Sequence, residues 1–373
     1  MPDQSVKVEG KMTRKDILLQ PLPDLLAWEN GSEITTICEW EKRKAQFAEQ
    51  IVALEFGGMP PKPDALELEI LTERGLGLAN CYRVHCAVGV RDFTFCFTVH
   101  RAQGDVRTPV LVTGDAMYNQ NCDNAVIAEA NRRGISVAIF NRTEFAPDWN
   151  DSERKWGIYP LYPDMRFSAI SAWAWGYHRV LDALERLSYV DMEHIAASGH
   201  SRGGKTVLLA AATDERIRYA NPNDSGAHGC GCYRFIQMEE EGLYEDGRSE
   251  NMADLFAAVP YWMGEGMREY IGREAELPHD MHFFKAMIAP RILLETNAYG
   301  DIWANPRGSY LTHLAAKKVW KLYGAERNCL TWYREGFHAH GMQEFCVLMD
   351  VMEADIKQLS VPEECTRVPY AEY

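Results

Sequence analysis

The chain has no run of about 18 apolar residues, the length a membrane-spanning helix needs, and no span through a bilayer is expected. It has no surplus of positive charge either. Its 39 Lys and Arg stand against 54 Asp and Glu, a formal net charge of -15, which argues against a nucleic-acid partner because a polyanion needs a local basic surface to hold it. Internal repeats and low-complexity segments are missing, which excludes solenoid and fibrous architectures. Met1–Gln20 lacks the apolar core and small-residue cleavage pattern of an export signal. The expectation drawn from this is a cytoplasmic protein. The ten cysteines (38, 81, 86, 96, 122, 230, 232, 329, 346 and 365) are scattered, some in apolar runs such as Phe95-Cys96-Phe97, and are expected as reduced, mostly buried thiols. Metal patterns stop short as well. His279-x-x-His282 lacks the order and the i, i+4 spacing that put two imidazoles on one helix face, and Cys230-x-Cys232 has no second pair. No metal and no cofactor are expected.

What is present suits a globular enzyme: 46% hydrophobic and 25% charged residues over 373 positions. Residues 1–38 read as an irregular arm broken by Pro21 and Pro23. Helical spacing of Trp40, Phe47, Ile51 and Leu54 predicts a helix over Glu39–Phe56, stopped by Gly57-Gly58. Alternation predicts strands at Leu66–Ile70, Cys81–Val90 and Phe93–Val99, the last two joined by Arg91-Asp92 as an antiparallel opening to a sheet. From Pro109 strands and helices alternate. Strands are expected at Pro109–Thr113, Ile135–Phe140, Ile195–Ser198, Tyr219–Asn223, Arg291–Thr296 and Leu330–Tyr333. Helices are expected at Asn124–Arg133, Phe167–Leu187, after Ser201, at Ser309–Tyr323 and at Gly341–Leu359. That order implies a mainly parallel sheet with helices on both faces. The stretch 225–285, rich in Gly and Glu and without clean period, reads as an insertion over the site. Residues 1–373 are thus expected as one α/β domain, with 1–60 as N-terminal arm and helix. Trp173, Trp175 and Tyr177 read as core packing.

The centre of the pattern is Gly199-His200-Ser201-Arg202-Gly203, between an apolar strand and an Ala/Leu-rich helix. This is the nucleophile elbow of an α/β-hydrolase. The serine sits at a strained turn that needs nearly side-chain-free neighbours two residues away, and the helix behind it offers unpaired N–H groups to an oxyanion. A serine nucleophile needs a base, and the base an orienting acid, in the chain order Ser, acid, His. The loop after the last strand supplies His338 and His340, of which His338 is favoured because it follows the glycine turn first. Two acids compete, Asp224 after one strand and Asp301 after the next. Both leave the same sheet edge.

The oxyanion is expected to meet the backbone N–H of Arg202 and a donor from the loop Thr113–Met117 around Gly114. The Arg202 side chain either adds positive charge there or forms a salt bridge. Lys205, one turn along the helix, is expected to touch a substrate hydroxyl or carboxylate, with a solvated lysine as the bland alternative.

Gly-His-Ser-Arg-Gly-Gly-Lys, then Asp214-Glu215-Arg216-Ile217 and Asn223-Asp224-Ser225-Gly226, resembles the glucuronoyl esterase family of carbohydrate esterases and its bacterial relatives. The segments Pro260-Tyr261-Trp262, Leu277–His282 and Ile288–Arg291 and the Gly-x-His-x-His loop continue the likeness over roughly residues 105–350. The resemblance implies an α/β-hydrolase fold and gives the family's serine, arginine and lysine to Ser201, Arg202 and Lys205. It places the acid on Asp224, with a bacterial alternative at Asp301, and a sugar-contacting tryptophan on Trp262, otherwise a core aromatic. The chain departs from the family in having His200 where Cys is usual, Asp where Glu is usual, and no visible secretion signal.

The function expected is a serine esterase acting on a sugar or uronic acid ester, small or oligosaccharide, through an acyl-enzyme. The alternatives are a xylan-type acetyl esterase, a peptidase or acyltransferase on the same triad, and a non-catalytic carbohydrate-binding protein. Because Asp224 sits in a tight turn and matches the family segment, its removal is expected to cost more than that of Asp301.

Overall fold

The structure, a computed structural model, describes residues 16–73, 79–103, 106–116, 122–238 and 247–371. In chain order the elements begin with β1 (Ile17–Leu18), α1 (Ile37–Phe56), β2 (Ala65–Thr72), β3 (Ala79–Val88), β4 (Arg91–His100), β5 (Thr108–Thr113), α2 (Asn124–Arg132) and β6 (Ser136–Phe140). They continue with α3 (Ala169–Leu184), β7 (Val190–His200), α4 (Arg202–Thr213), β8 (Ile217–Asn223), β9 (Phe235–Ile236), α5 (Met252–Ala258) and α6 (His282–Ala286). The last are β10 (Ile292–Ala298), α7 (Pro306–Leu322), β11 (Cys329–Arg334) and α8 (Met342–Ile356).

Among the described residues nine strands form one sheet in the order β11-β10-β8-β7-β5-β6-β4-β3-β2. The strands from β6 to β11 across this order run parallel, while β2, β3 and β4 join antiparallel. The parallel strands carry apolar residues on both faces, as strands covered on both sides must. Val110, Val112, Ile195 and Ala197 pack into the larger core with α1, α3, α4 and α6. Leu111, Ala196, Tyr219 and Leu330 face the opposite side, under α2 and α8. This is the α/β-hydrolase fold, a mainly parallel sheet with an antiparallel N-terminal opening and helices on both faces.

Local chemistry moves some expected boundaries. Helix α1 starts two residues early because Thr36 and Glu39 form a reciprocal capping box. The β3–β4 turn is Gly89-Val90 rather than Arg91-Asp92, since Val88 pairs with Arg91 and Gly89 takes φ +57, a conformation glycine adopts without steric cost. The arm is not wholly irregular: Ile17-Leu18 pairs antiparallel with Phe235-Ile236. Trp173, Trp175 and Tyr177 are fully buried. Residues 225–285 contain β9, α5, α6 and short 3-10 turns, and tie back to α1 through one buried carboxylate. Glu55 accepts hydrogen bonds from His228 Nδ1 (2.6 Å), Tyr233 Oη (2.5 Å) and His279 Nε2 (2.8 Å). That network absorbs His279, while His282 Nε2 donates to the Pro23 carbonyl at 2.8 Å.

Candidate active site

Four adjacent parallel strands deliver the chemistry at their carboxyl ends. In the sheet His200 pairs with Asn223, Asn223 with Thr296, and Ala298 with Arg334. Ser201 follows β7 and Asp224 follows β8, while Asp301 lies just beyond β10 and His338 just beyond β11. Side chains far apart in sequence therefore leave one sheet edge together.

Ser201 has φ 55 and ψ -119, outside the usual range for a residue with a side chain. Its N–H donates to the Asn223 carbonyl at 2.9 Å. The glycines around it are required by close approach. A Cβ on Gly199 would lie 2.5 Å from the Gly203 carbonyl oxygen, and one on Gly203 would lie 2.5 Å from Asp115 Oδ1. Asp115 in turn accepts the His200 N–H at 3.0 Å and pairs with buried Arg142. Neither Asp115 nor Arg142 was singled out from sequence. Only a map of which loops meet could have found them.

The base is placed by Asp301. His338 Nδ1 lies 2.5 Å from Asp301 Oδ2, with Asp301 1% exposed. A carboxylate on Nδ1 leaves Nε2 as the proton acceptor. Burial opposes the His338 imidazolium, but the Asp301 hydrogen bond and charge, with the charges of Asp224 and Glu250, outweigh it and raise the pKa above 6.5. No hydrogen bond joins Ser201 to His338 among the described residues. Such bonds commonly tighten only with substrate bound. Arg334 gathers the carbonyls of Glu335, Phe337 and Ala339 and so shapes the loop that carries the base.

Asp224 stands otherwise. With φ 38 its carboxylate turns toward the sheet, accepting the Ala298 N–H at 2.8 Å and Arg334 Nη2 at 3.4 Å. The expectation that Asp224 holds the imidazole is corrected: the bond belongs to Asp301. Asp224 is nevertheless close, since its oxygen, one of Asp301 and a ring nitrogen of His338 all lie within 4.8 Å of one another. Burial first, then the Asp301 charge, pushes its pKa up to about 8. His340 is 6% exposed, with Nε2 3.3 Å from Ser198 Oγ and its ring 4.3 Å from that of Phe345, and burial holds its pKa well below 6.5. It points into the core. His200, the departure before the nucleophile, lies with its ring 4.2 Å from that of His338. Burial, then the charge of His338, lowers its pKa to about 3, so it stays neutral beside the base.

Gly114, Lys205, Arg202 and Trp262, all expected at the substrate, have other partners. Gly114 donates its N–H to Tyr177 Oη at 2.8 Å, and a Cβ there would meet Phe140 at 2.9 Å. It is a packing glycine whose donor is already engaged, and Met117 of the same loop lies outside the described residues. Lys205, 2% exposed, donates to Ser225 O (2.7 Å), Ala227 O and Glu250 Oε1 (2.8 Å). An ammonium has three protons, and all three hold the insertion on α4 instead of reaching substrate. Arg202 does form a salt bridge, to Asp148 Oδ2 at 2.7 Å, while its guanidinium covers the Trp262 ring at 4.7 Å. Its N–H belongs to the first turn of α4, whose N–H groups have no acceptor within the helix. Trp262, 5% exposed, donates Nε1 to Asp148 Oδ1 at 3.1 Å and forms the wall beneath Arg202.

A strained serine at a strand–helix elbow, beside an imidazole held by a carboxylate, defines a serine hydrolase of the α/β-hydrolase fold. The family model "Glucuronyl esterase, fungi" matches residues 66–324, and the chain belongs to that family. The chain is similar to 4-O-methyl-glucuronoyl methylesterase 1 of Wolfiporia cocos (strain MD-104), 26% identical over 337 residues, which is 89% of this chain and 78% of that protein. Among solved structures it is similar to a carbohydrate esterase family 15 glucuronoyl esterase from Caldicellulosiruptor kristjansonii, with TM-score 0.83, 24% identity and coverage of 99% and 97% of the two chains. A glucuronoyl esterase mutant from Sporotrichum thermophile, in complex with methyl 4-O-methyl-beta-D-glucopyranuronate, superposes with TM-score 0.77 at 22% identity over 97% of this chain and 95% of its own.

Proposed function

We propose that the protein hydrolyses the ester formed by the carboxyl group of a glucuronate unit. The observation that carries this reading is the His338–Asp301 pair at the sheet edge that presents Ser201. Ser201 Oγ attacks the ester carbonyl carbon while His338 Nε2 takes its proton. The tetrahedral oxyanion faces the Arg202 N–H and the guanidinium held by Asp148. Collapse expels the alcohol, which leaves with the proton from His338. Water, deprotonated by the same nitrogen, then attacks the acyl-enzyme and releases the uronic acid and the serine.

Family membership and the names of the relatives support glucuronate on the acyl side of the bond, over an acetyl ester of a sugar. The ten cysteines, none joined in a disulfide, fit a reducing compartment and belong to the same proposal. The test compares methyl glucuronate with acetylated xylose and glucose by acid release. Turnover of the uronate ester well above that of the acetates is expected. The opposite ranking would reverse the acyl assignment.

A further inference from the structure

The loop between β6 and α3 and the segment between α5 and α6 border an open cavity of about 400 Å3 that the esterase reading leaves unused. Its charge is unusual for a chain at -15. Arg154, Arg166 and Arg268 line it, against the carboxylates of Asp151 and Glu265. None of the three arginines forms an ion pair with a carboxylate among the described residues. Arg154 donates to the Phe167 carbonyl at 3.1 Å with its guanidinium 3.8 Å from the Tyr159 ring centre. Arg166 donates to the carbonyls of Pro163 (2.9 Å) and Met165 (3.2 Å), and Arg268 lies 4.8 Å over Phe256. By contrast Arg202, Arg216, Arg248 and Arg273 are all paired with carboxylates.

Two further observations point to a ligand. Arg154 holds φ 51, a left-handed conformation costly for a residue with a side chain, and such strain gathers at ligand clamps. The loop that supplies it also carries two indoles in water, Trp149 at 58% and Trp156 at 63% exposure, of the kind that stacks on sugar faces. The cavity shares a wall with the elbow, because Tyr261 lines it and donates to Asp148 Oδ1 at 3.2 Å, the residue that holds Arg202.

We propose that this cavity is an anion subsite for a free uronate unit of the same saccharide chain whose neighbouring ester is cleaved at Ser201. The inference rests on the uronate-ester reading for its choice of ligand. Hydrolysis itself leaves a carboxylate on the chain, so each cleavage creates a group that the three guanidinium groups can hold by charge-assisted hydrogen bonds. The enzyme would then favour partly de-esterified chains over isolated esters.

Calorimetry with trigalacturonate, set against neutral cellotriose, tests this on the wild-type chain and on Arg166→Glu/Arg268→Glu. Trigalacturonate should bind with an affinity that falls as salt rises, and the double variant should weaken it by about tenfold or more through lost screened attraction. Cellotriose should not respond to the variant, and turnover of methyl glucuronate should be unchanged. No heat at millimolar trigalacturonate, or equal affinity in the variant, overturns the subsite. If the double variant fails to fold, Arg268→Gln carries the same comparison, with a smaller loss expected and no change overturning. Failure of the esterase reading would appear separately, as wild-type enzyme inert toward methyl glucuronate.

Discussion

Asp224 and Asp301 leave neighbouring strands, but their carboxylates are in different states. Asp301 touches the imidazole, and its conversion to Asn removes the charge that fixes the tautomer and stabilises the imidazolium. Asp301→Asn should lower kcat/KM by up to about 10⁴. Burial and the Asp301 charge raise the Asp224 pKa, its carboxyl meets the Ala298 N–H rather than the imidazole, and asparagine keeps an oxygen for that bond. Asp224→Asn should therefore cost much less than Asp301→Asn at pH 7. Equal losses at pH 7 would show that the two acids share the imidazole. The base must be neutral to act, so kcat/KM should rise with pH through a His338 pKa above 6.5. Removing Asp301 takes away the interaction that raises it, and the acid limb should move to lower pH. Two carboxylates beside one imidazole can also ligate a cation. If this corner works as a triad, dialysis against a chelator leaves the rate unchanged, and a loss restored by added metal would contradict it.

Among the elements, what could be read from sequence followed periodicity. Alternation in β3 and β4, helical spacing in α1 and the strand–turn–helix around Ser201 all announce themselves within a few residues. Two-residue strands such as β1 and β9 have no period to read. Partners across long separations are equally silent: Glu55 lies 173 residues from His228 and 224 from His279. The choice between Asp224 and Asp301 failed for a related reason. Both follow parallel strands, and only the backbone at Asp224, φ 38, turns its carboxylate toward Ala298. The Glu55 network joins α1 to the insertion. His228 Nδ1 meets the Glu55 carboxylate at 2.6 Å and Nε2 meets the Trp262 carbonyl at 3.0 Å, so the ring is held at both nitrogens. Glu55→Gln would remove the buried carboxylate that His228, Tyr233 and His279 share, and urea denaturation should show a loss of about 3–5 kcal/mol. Burial works against the Glu55 carboxylate, but the two histidines overcome it and lower its pKa from 4.5 to about 2. Its contribution is present above pH 4.5 and is lost as pH falls through about 2. Wild type and variant should converge in stability only at that acid extreme.

For the whole molecule, the sheet supplies an edge, the elbow supplies the nucleophile, and the insertion is pinned over them by Lys205, Glu250 and Glu55. Among the described residues no helix is long and apolar enough to cross a membrane. The proposed reaction depends most on Ser201 being the nucleophile for a glucuronate ester. The direct measurement is acid release from methyl glucuronate by the wild-type chain and by Ser201→Ala, whose side-chain hydroxyl contributes little to stability. Steady turnover by the wild type and loss of nearly all of it in the variant, with unchanged melting temperature, is the result predicted. A folded variant that keeps a substantial share of the wild-type rate would contradict it.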